Sequence, residues 1–330
     1  MHGNGDKHMT HTLIRHNSFT LLLIMALAAA LAPSDARAGN RHQDDKAGLC
    51  YRTTDAMKAA CFADIVDDFN TAFANCLNTD NVRDCKREAR TDYRDARAEC
   101  RVQTAGRNDL CARLPDAGPY ITEIDPANFK TPEETQFAGN RFFPLVIGTV
   151  STYRNEEDNE DIVVTVTDRT RVIEGVTTIV VRDVVSVDGE LIEDTDDYFA
   201  EDRDGNVWYF GEIAKNFEDG FLTDLEGSFI AGEDGAQAGI VMLANPMVGD
   251  VYRQEFALGD AEDAAEVLAL DGDLSGDHFD CNNACLVTED FIPTEPDATE
   301  FKYFIEGVGL VAEQLPDGDV VLELISIETP

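Results

Sequence analysis

Two segments of equal length, CFADIVDDFNTAFANC (61–76) and CKREARTDYRDARAEC (85–100), each begin and end with cysteine. Together with Cys50 and Cys111 they place six cysteines at intervals of 11, 15, 9, 15 and 11 residues, a series that reads the same in both directions. An antiparallel hairpin produces such symmetry, because residues equally far from its turn lie side by side. Six cysteines allow fifteen pairings, and the symmetry selects one of them. The spacing therefore predicts nested disulfides Cys50–Cys111, Cys61–Cys100 and Cys76–Cys85.

Both segments also carry apolar residues at helical spacing. The two stripes are Met57, Cys61, Ile65, Phe69, Phe73 and Cys76, and Val82, Cys85, Ala89, Tyr93, Ala96 and Cys100. Residues 77–81 (LNTDN) are typical of a turn and a helix start. The pattern predicts helices over 54–77 and 81–104 within a hairpin spanning 50–113. A zinc or copper(I) site is the alternative use of these cysteines, but it usually needs closely spaced ligands, and disulfides are favoured.

The N-terminal region has the features of a secretory signal peptide. An apolar run, FTLLLIMALAAALAP (19–33), follows two basic residues and precedes Ala36-Arg37-Ala38. The run is short of the roughly 20 residues that span a membrane, so cleavage after Ala38 is expected, with a disordered tail over 39–49. We expect a periplasmic or extracellular protein, and in such compartments cysteines are oxidised.

Charge is the strongest compositional signal. The chain has 65 Asp and Glu against 26 Lys and Arg. Such a surface repels nucleic acid and anionic membranes, so neither is an expected partner. It is compatible with binding of cations or basic partners. Solubility in a salty environment is the favoured interpretation, because lysine is scarce (seven Lys against nineteen Arg).

The remainder of the chain predicts a β domain. Residues 114–138 contain four prolines and are interpreted as an extended connector. From 139 to 330, segments rich in Val, Ile, Phe and Tyr alternate with Asp-Gly pairs, the preferred residues of type I′ hairpin turns. The predicted strands are 162–168, 177–187, 206–212, 239–243, 250–256, 301–307 and 319–327, and the Asp-Gly pairs are at 188–189, 204–205, 219–220, 234–235 and 317–318. The predicted class is α+β: a disulfide-stapled helical hairpin followed by a mainly antiparallel β domain, a sandwich or curved half-barrel.

Several blocks of this domain resemble a family of uncharacterised exported bacterial proteins. The blocks are IDPANF (124–129), NRFFPLVIGT (140–149), DRDGNVWYFGE (202–212), NPMVGDVYRQE (245–255) and EGVGLV (306–311). Family members carry segments such as NxFFPLxPGT, DxDGNVWYFGE and PGVGLV in this order, and some have a cysteine-containing helical segment ahead of them. Ile147 and Glu306 stand here where prolines are common. The resemblance implies that 124–330 form one unit; it implies no activity and no catalytic residues.

The sequence has few residues typical of catalytic sites. After the predicted signal peptide only His42 and His278 remain, and no hydrolase, zinc-protease or nucleotide-binding motif is present. Whether the protein is an enzyme therefore stays open, and the pattern favours a non-enzymatic binding or scaffold protein. A carboxylate pair acting as in glycosidases, hence a carboxylate-dependent hydrolase, is one alternative.

The stretch DGDLSGDHFDCNNAC (271–285) is the most specific candidate site. Alternating oxygen ligands before a glycine are typical of a calcium loop, although Asn282 replaces the glutamate expected at its twelfth position. The candidate ligands are Asp271, Asp273, Ser275, Asp277 and Asp280. A plain acidic turn pinned by a Cys281–Cys285 disulfide is the competing interpretation. His278 with the two cysteines as a copper or zinc site requires reduced thiols, which export disfavours.

Aromatic residues supply the last candidate. Phe142 and Phe143, with Trp208, Tyr209 and Phe210, are able to line a pocket for an apolar ligand, although aromatics on strands more often form plain core. The sequence thus predicts an exported binding protein, with calcium as a possible cofactor and an apolar-ligand carrier as a second alternative.

Overall fold

The computed structural model describes residues 48–137 and 139–330. The predicted signal peptide (1–38) lies outside the described residues. Of the predicted tail (39–49), only Gly48 and Leu49 are described, and Leu49 begins the first helix.

Two long helices form the predicted hairpin. Helix α1 spans Leu49–Cys76 and helix α2 spans Val82–Arg113, so each is longer than predicted. The predicted C-terminal boundary of α2 at 104 is wrong because the helix continues as far as a buried contact of Leu110 with the sheet. Disulfides join Cys50 to Cys111, Cys61 to Cys100 and Cys76 to Cys85, which confirms the nested pairing.

The connector contains short helical turns in addition to extended segments. A 3-10 turn spans Pro126–Asn128 and helix α3 spans Pro132–Thr135. Thr131 caps α3: its hydroxyl accepts from the Glu134 amide, and the Glu134 carboxylate accepts from the Thr131 amide. The expectation of a wholly extended connector is therefore wrong at these two turns.

Sixteen strands follow between Val150 and Glu328. They are β1 Val150–Asn155, β2 Glu160–Ile173, β3 Val176–Val187, β4 Glu190–Glu201, β5 Val207–Ile213, β6 Asn216–Glu218, β7 Phe221–Asp224, β8 Phe229–Ile230, β9 Gln237–Met242, β10 Val251–Arg253, β11 Glu255–Phe256, β12 Ala264–Gly272, β13 Cys285–Ile292, β14 Glu295–Ile305, β15 Gly309–Gln314 and β16 Val320–Glu328.

These strands form one large antiparallel sheet that is nearly barrel-shaped. Its order runs β10-β12-β13-β14-β15-β16-β1-β2-β3-β4-β5-β9-β11. The two strands at the ends of this order, β10 and β11, are separated in the chain only by Gln254. Because β10 pairs with β12 while β11 pairs with β9, the segment 251–256 draws the two edges together. The space that the sheet encloses is called the lumen below.

Six of the seven predicted strands overlap single strands of this sheet, and the structure adds others such as β4, β12 and β15. The expectation of one strand over 250–256 is wrong, because Gln254 separates β10 from β11 and the two pair with opposite edges of the sheet. The Asp-Gly pairs all lie in turns. At 188–189, 219–220 and 234–235 both residues have positive φ, as a type I′ turn requires. At 204–205 and 317–318 only the glycine has positive φ, so the expectation of type I′ geometry is wrong there.

The hairpin is attached to the sheet through the last turns of α2. The Arg107 guanidinium forms two parallel hydrogen bonds with the buried Glu262 carboxylate, Nε to Oε2 at 2.8 Å and Nη2 to Oε1 at 2.6 Å. A Cβ at Gly106 would lie 2.2 Å from the carbonyl oxygen of Pro293, so only glycine allows this approach. Arg113 pairs with Glu266 and Glu289 of neighbouring strands.

Four disulfides in all, the three above and Cys281–Cys285, indicate that the protein resides in an oxidising compartment. Among the helices that the structure describes, none is long and apolar enough to cross a membrane.

Candidate functional site

The lumen contains a cavity of about 360 Å³. Every second residue of a lining strand faces the cavity, because alternate residues of a strand face the same side of the sheet. Ile162, Val164 and Val166 of β2 line it, as do Val181 and Asp183 of β3. Val164 is paired across the sheet with Asp183, and Val166 with Val181, so the inward rows of adjacent strands are in register.

One end of the lumen is apolar and covered by the segment 140–145. Asn140 holds this segment in place, because its amide nitrogen donates to the carbonyls of Gly205 and Leu243 while its Oδ1 accepts from two amides of the segment. Phe143 and Leu145 thereby line the cavity. Other apolar lining residues belong to the same core cluster as Phe143 and Leu145: Val166, Val181, Phe199, Val241, Phe304 and Leu310.

The wall also carries many acidic side chains. Six carboxylates line the cavity, from Asp183, Asp197, Glu255, Asp263, Asp290 and Glu313. Among the described lining residues the only basic side chain is Lys302. This combination of an apolar end and a carboxylate-rich wall makes the lumen amphiphilic.

Lys302 forms ion pairs with the carboxylates nearest to it. Its Nζ lies 3.4 Å from Glu313 Oε1 and 3.6 Å from Asp290 Oδ2. Burial alone would lower the pKa of Lys302. The pKa is nevertheless held well above its usual value by four acidic groups, Glu313, Asp290, Glu300 and Asp263. Lys302 therefore stays charged and neutralises its own side of the lumen.

Asp183 has no such partner. Its Oδ1 atom is buried, and no described residue donates a hydrogen bond to it. Burial raises the pKa of Asp183 to about 8, and the four other groups that act on it are all acidic: Asp197, Glu193, Glu313 and Glu160. A buried carboxyl with neither a donor nor a cation is costly, so Asp183 holds a proton near neutral pH or requires a cation from outside the chain.

Asp197 lies on the next strand and is joined to a tyrosine. The Tyr209 hydroxyl donates to Asp197 Oδ1 at 2.5 Å. Burial, followed by repulsion from Glu212, raises the pKa of Asp197 to about 8. The Tyr209 ring stacks on Phe199 with centroids 4.7 Å apart, so this polar pair borders an aromatic surface. The site can exchange protons near neutral pH and can place an organic group against aromatic rings.

The predicted aromatic pocket is divided between two regions. Phe143 and Tyr209 line the lumen, and Phe142 lies in the core cluster around it. Phe210 and Trp208 belong instead to a second cluster around Phe129, on the opposite face of their strand. The alternation of β5 explains this division, since neighbouring residues of a strand face opposite sides.

The predicted calcium ligands lie at the end of β12 and in the loop after it, and none of them lines the cavity. Asp280 Oδ1 accepts from the Ser275 hydroxyl and the Asn282 amide, and Asp273 Oδ1 accepts from the Asn283 amide. The structure describes Asp271 and Asp277 without an ion pair. Over residues 48–137 and 139–330, three or more His, Cys, Asp or Glu side chains nowhere converge in a metal-holding arrangement. Calcium binding stays a prediction.

The Cys281–Cys285 disulfide in this loop agrees with the prediction. Because it occupies both sulfurs, the alternative soft-metal site with His278 loses two of its three ligands.

The lumen carboxylates were not predicted from the sequence. A signal was present, because Asp183 occupies an inward position of the alternating strand TTIVVRDVVSV (177–187). Acidic residues are too frequent in this chain for that position to stand out until the closed sheet shows which side faces the cavity.

Comparison of the chain with models of known protein families, with curated proteins and with solved structures finds no match.

Proposed function

We propose that the protein is an exported binding protein that holds a small amphiphilic amine in the lumen. The ammonium group of the ligand lies between Asp183 and Asp197, and its apolar body extends toward Phe143 and Leu145. The observation that carries this proposal is the buried Oδ1 of Asp183, which lacks a donor among the described residues and lines a cavity.

The charge of the wall selects a cation. A negatively charged ligand would enter a space that is lined by six carboxyl groups and a single ammonium group. An ammonium ion supplies both the missing donor and the missing positive charge at Asp183, and such charge-assisted hydrogen bonds are about twice as strong as neutral ones. Lys302 does not fill this role, since its ammonium group neutralises Asp290 and Glu313.

The shape and apolar lining of the cavity select an organic cation over a metal ion. A volume of about 360 Å³ falls within the roughly 300–1,000 Å³ of small-molecule pockets. Burying an apolar body contributes about 0.8 kcal/mol per CH₂ group. The stacked rings of Tyr209 and Phe199 add a surface that attracts cations.

Calorimetric titration with octylamine, octanol and octanoate tests the proposal, because the three probes share a chain and differ in the head group. We expect octylamine to bind most tightly and octanoate least. Asp183→Asn should reduce the affinity for octylamine and leave that for octanol nearly unchanged. The matched control is Asp168→Asn, at an exposed position of β2. Equal affinity for the three probes, or an unchanged affinity in Asp183→Asn, contradicts the proposal.

The affinity should also depend on pH in a defined direction. Because the pKa values of Asp183 and Asp197 are raised to about 8 by burial, a proton occupies each free carboxyl at lower pH and competes with the ammonium group. Octylamine affinity should rise by up to about tenfold per pH unit between roughly pH 6 and 8, and level off above that.

One further observation favours a second candidate function, acid–base catalysis in the lumen. The Asp197–Tyr209 pair combines a 2.5 Å hydrogen bond with a carboxyl whose pKa is raised to about 8, mainly by burial, which suits a group that exchanges a proton near neutral pH. An amine that the protein binds and chemically converts would favour catalysis; an amine recovered unchanged supports the binding function.

Export is supported by the sequence together with the oxidised cysteines, and calcium binding by the sequence alone. The apolar run before Ala36-Arg37-Ala38 favours cleavage after Ala38, and the oxidised cysteines fit an exported protein. The mature protein should begin at Gly39. N-terminal sequencing of the protein, after the full chain has been expressed in a host that exports it, checks this prediction. If the loop at Asp271–Asp277 binds calcium, the melting temperature rises with calcium and reverts with chelator, and Asp273→Ala removes the effect.

A further inference from the structure

Helix α2 has three distinct faces between residues 82 and 105. The first packs on α1 through the disulfides and the contact of Tyr93 with Phe69, whose rings are 5.0 Å apart. The other two faces carry opposite charges. Because each helical residue turns about 100°, residues separated by three or four share a face. One such face is an arginine row and the other an acidic row.

The two rows are continuous over five turns. The arginine row consists of Arg83, Arg87, Arg90, Arg94, Arg97 and Arg101, and the acidic row of Asp84, Glu88, Asp92, Asp95 and Glu99. Between the rows runs an outer seam of small or apolar side chains. Its members are Thr91, Ala98, Val102 and Ala105. Val102 is 47% exposed, and Ala98 and Ala105 are exposed too, so nothing in the described chain covers the seam.

This arrangement is unfavourable for an isolated helix. Like charges at i,i+4 destabilise a helix by about 0.2–0.5 kcal/mol per pair, whereas alternating opposite charges would stabilise it. Arg87 with Asp84, at 2.6 Å, is the only ion pair that either row makes within the described residues. The guanidinium groups of Arg90 and Arg94 donate instead to carbonyls of their own helix, at 3.1 Å each.

The geometry points to a second copy of this chain as the partner of the seam: we propose that two α2 helices pair in parallel along it. A partner of a single charge sign satisfies one row and is repelled by the other. A second α2 presents both rows at the same spacing. Small residues in the seam allow two helices to approach closely, with charged rows flanking the contact as in coiled coils.

Symmetry decides the orientation. A two-fold axis parallel to the helices brings the arginine row of each copy opposite the acidic row of the other. A two-fold axis perpendicular to the helices sets arginine against arginine and acid against acid. Only the parallel pair is therefore complementary, and in it each seam residue meets its own equivalent.

The rest of the molecule tolerates this pairing at physiological salt. Residues 50–113 contain 11 Lys and Arg and 11 Asp and Glu, so the hairpin is neutral, whereas residues 114–330 contain 10 and 50. At about 0.15 M salt the screening length is about 8 Å. Repulsion between the two acidic sheets is then largely screened, while ion pairs in contact along the seam persist.

Crosslinking tests the proposal directly. All eight cysteines of the chain are paired, so Ala98→Cys introduces the only free thiol. A short bismaleimide at about 0.15 M salt should convert this variant to a covalent dimer. The matched control is Ala74→Cys at an exposed position of α1, which should stay monomeric. Equal dimer yields in the two variants, or no dimer in either, would overturn the proposal.

Charge exchange separates specific pairing from chance encounter. Adding Arg90→Glu and Arg94→Glu to the Ala98→Cys variant should abolish the crosslink. Further adding Glu88→Arg and Asp95→Arg, which exchanges the signs at two positions of each row, should restore it. A crosslink that persists in the first variant, or fails to return in the second although its helical circular dichroism is intact, contradicts pairing through the rows.

Discussion

The hairpin and the curled sheet are stabilised by different means. The hairpin (50–113) is electrically neutral, and its helices are held by three nested disulfides around a thin row of apolar contacts. The sheet has a large buried core, yet the chain from 114 to 330 carries 50 acidic against 10 basic residues, some of them in its lumen. The contrast shows that covalent links can substitute for a core, whereas a large core can tolerate buried carboxyls that serve binding.

Removing the nested disulfides should have the largest effect and should affect the hairpin alone. Closing a loop of about 40 residues, as Cys61–Cys100 does, is worth about 4 kcal/mol, against about 2 kcal/mol for the five-residue loop of Cys281–Cys285. Replacing the six hairpin cysteines with serine should abolish the helical circular dichroism of the hairpin and leave the strand signal. The control variant Cys281→Ser/Cys285→Ser should keep both signals.

Loss of the strand signal in circular dichroism together with the helical signal would show that the two regions are not stabilised independently. It would contradict the difference drawn above between the hairpin and the sheet.

The junction between the regions should show the next largest effect. Arg107→Met leaves the Glu262 carboxylate buried without its guanidinium partner, so the free energy of unfolding should fall by about 3–5 kcal/mol. Adding Glu262→Gln removes the stranded charge and should recover much of this loss. Arg52→Met, at an exposed position of α1, is the control and should change little. Denaturant unfolding measures all three, and equal losses in Arg107→Met and the double variant would contradict a buried-charge mechanism.

The pH dependence of stability should distinguish the lumen from the hairpin. Burial raises the pKa of Asp183 from 3.8 to about 8, so between these values the folded state binds a proton that the unfolded state releases. The free energy of unfolding should therefore decrease as pH rises from about 6 to 8, by up to about 1.4 kcal/mol per pH unit for this group. In Asp183→Asn the free energy of unfolding should depend less on pH, because the contribution of Asp183 is lost, whereas Asp168→Asn should keep the wild-type dependence. An unchanged pH dependence in Asp183→Asn would mean that groups other than Asp183 cause it.

The success of sequence-based prediction also differs between the two regions. The hairpin could be predicted because its symmetric cysteine spacing determines which residues face each other. Of the sheet, strands with regular apolar alternation such as β2 and β3 could be predicted, whereas β4 (ELIEDTDDYFAE) could not. Its inward acidic residues, Glu193 and Asp197, interrupt the apolar pattern that marks a strand.

The same residues explain why the site was missed. A carboxylate that faces a lumen looks, in the sequence, like a solvent-exposed residue of an acidic protein. Only the pairing of β10 and β11 with opposite edges of the sheet shows that a closed interior exists. The two halves of the sheet in turn meet where β1 pairs with β16, which comes from the other end of the domain's sequence. The candidate calcium loop at 271–280, by contrast, can be recognised in the sequence because its candidate ligands are close together along the chain.

The proposed binding of an ammonium group between Asp183 and Asp197 should release protons, and calorimetry can measure this release. Octylamine binding should be measured calorimetrically at about pH 7 in two buffers of different ionisation enthalpy. Because both carboxyls hold their protons below a pKa of about 8, raised mainly by burial, binding of the ammonium group should release about one proton per ligand. Asp183→Asn should reduce this release. Binding without proton release, or with proton uptake, would contradict the binding of an ammonium group at these two carboxyls.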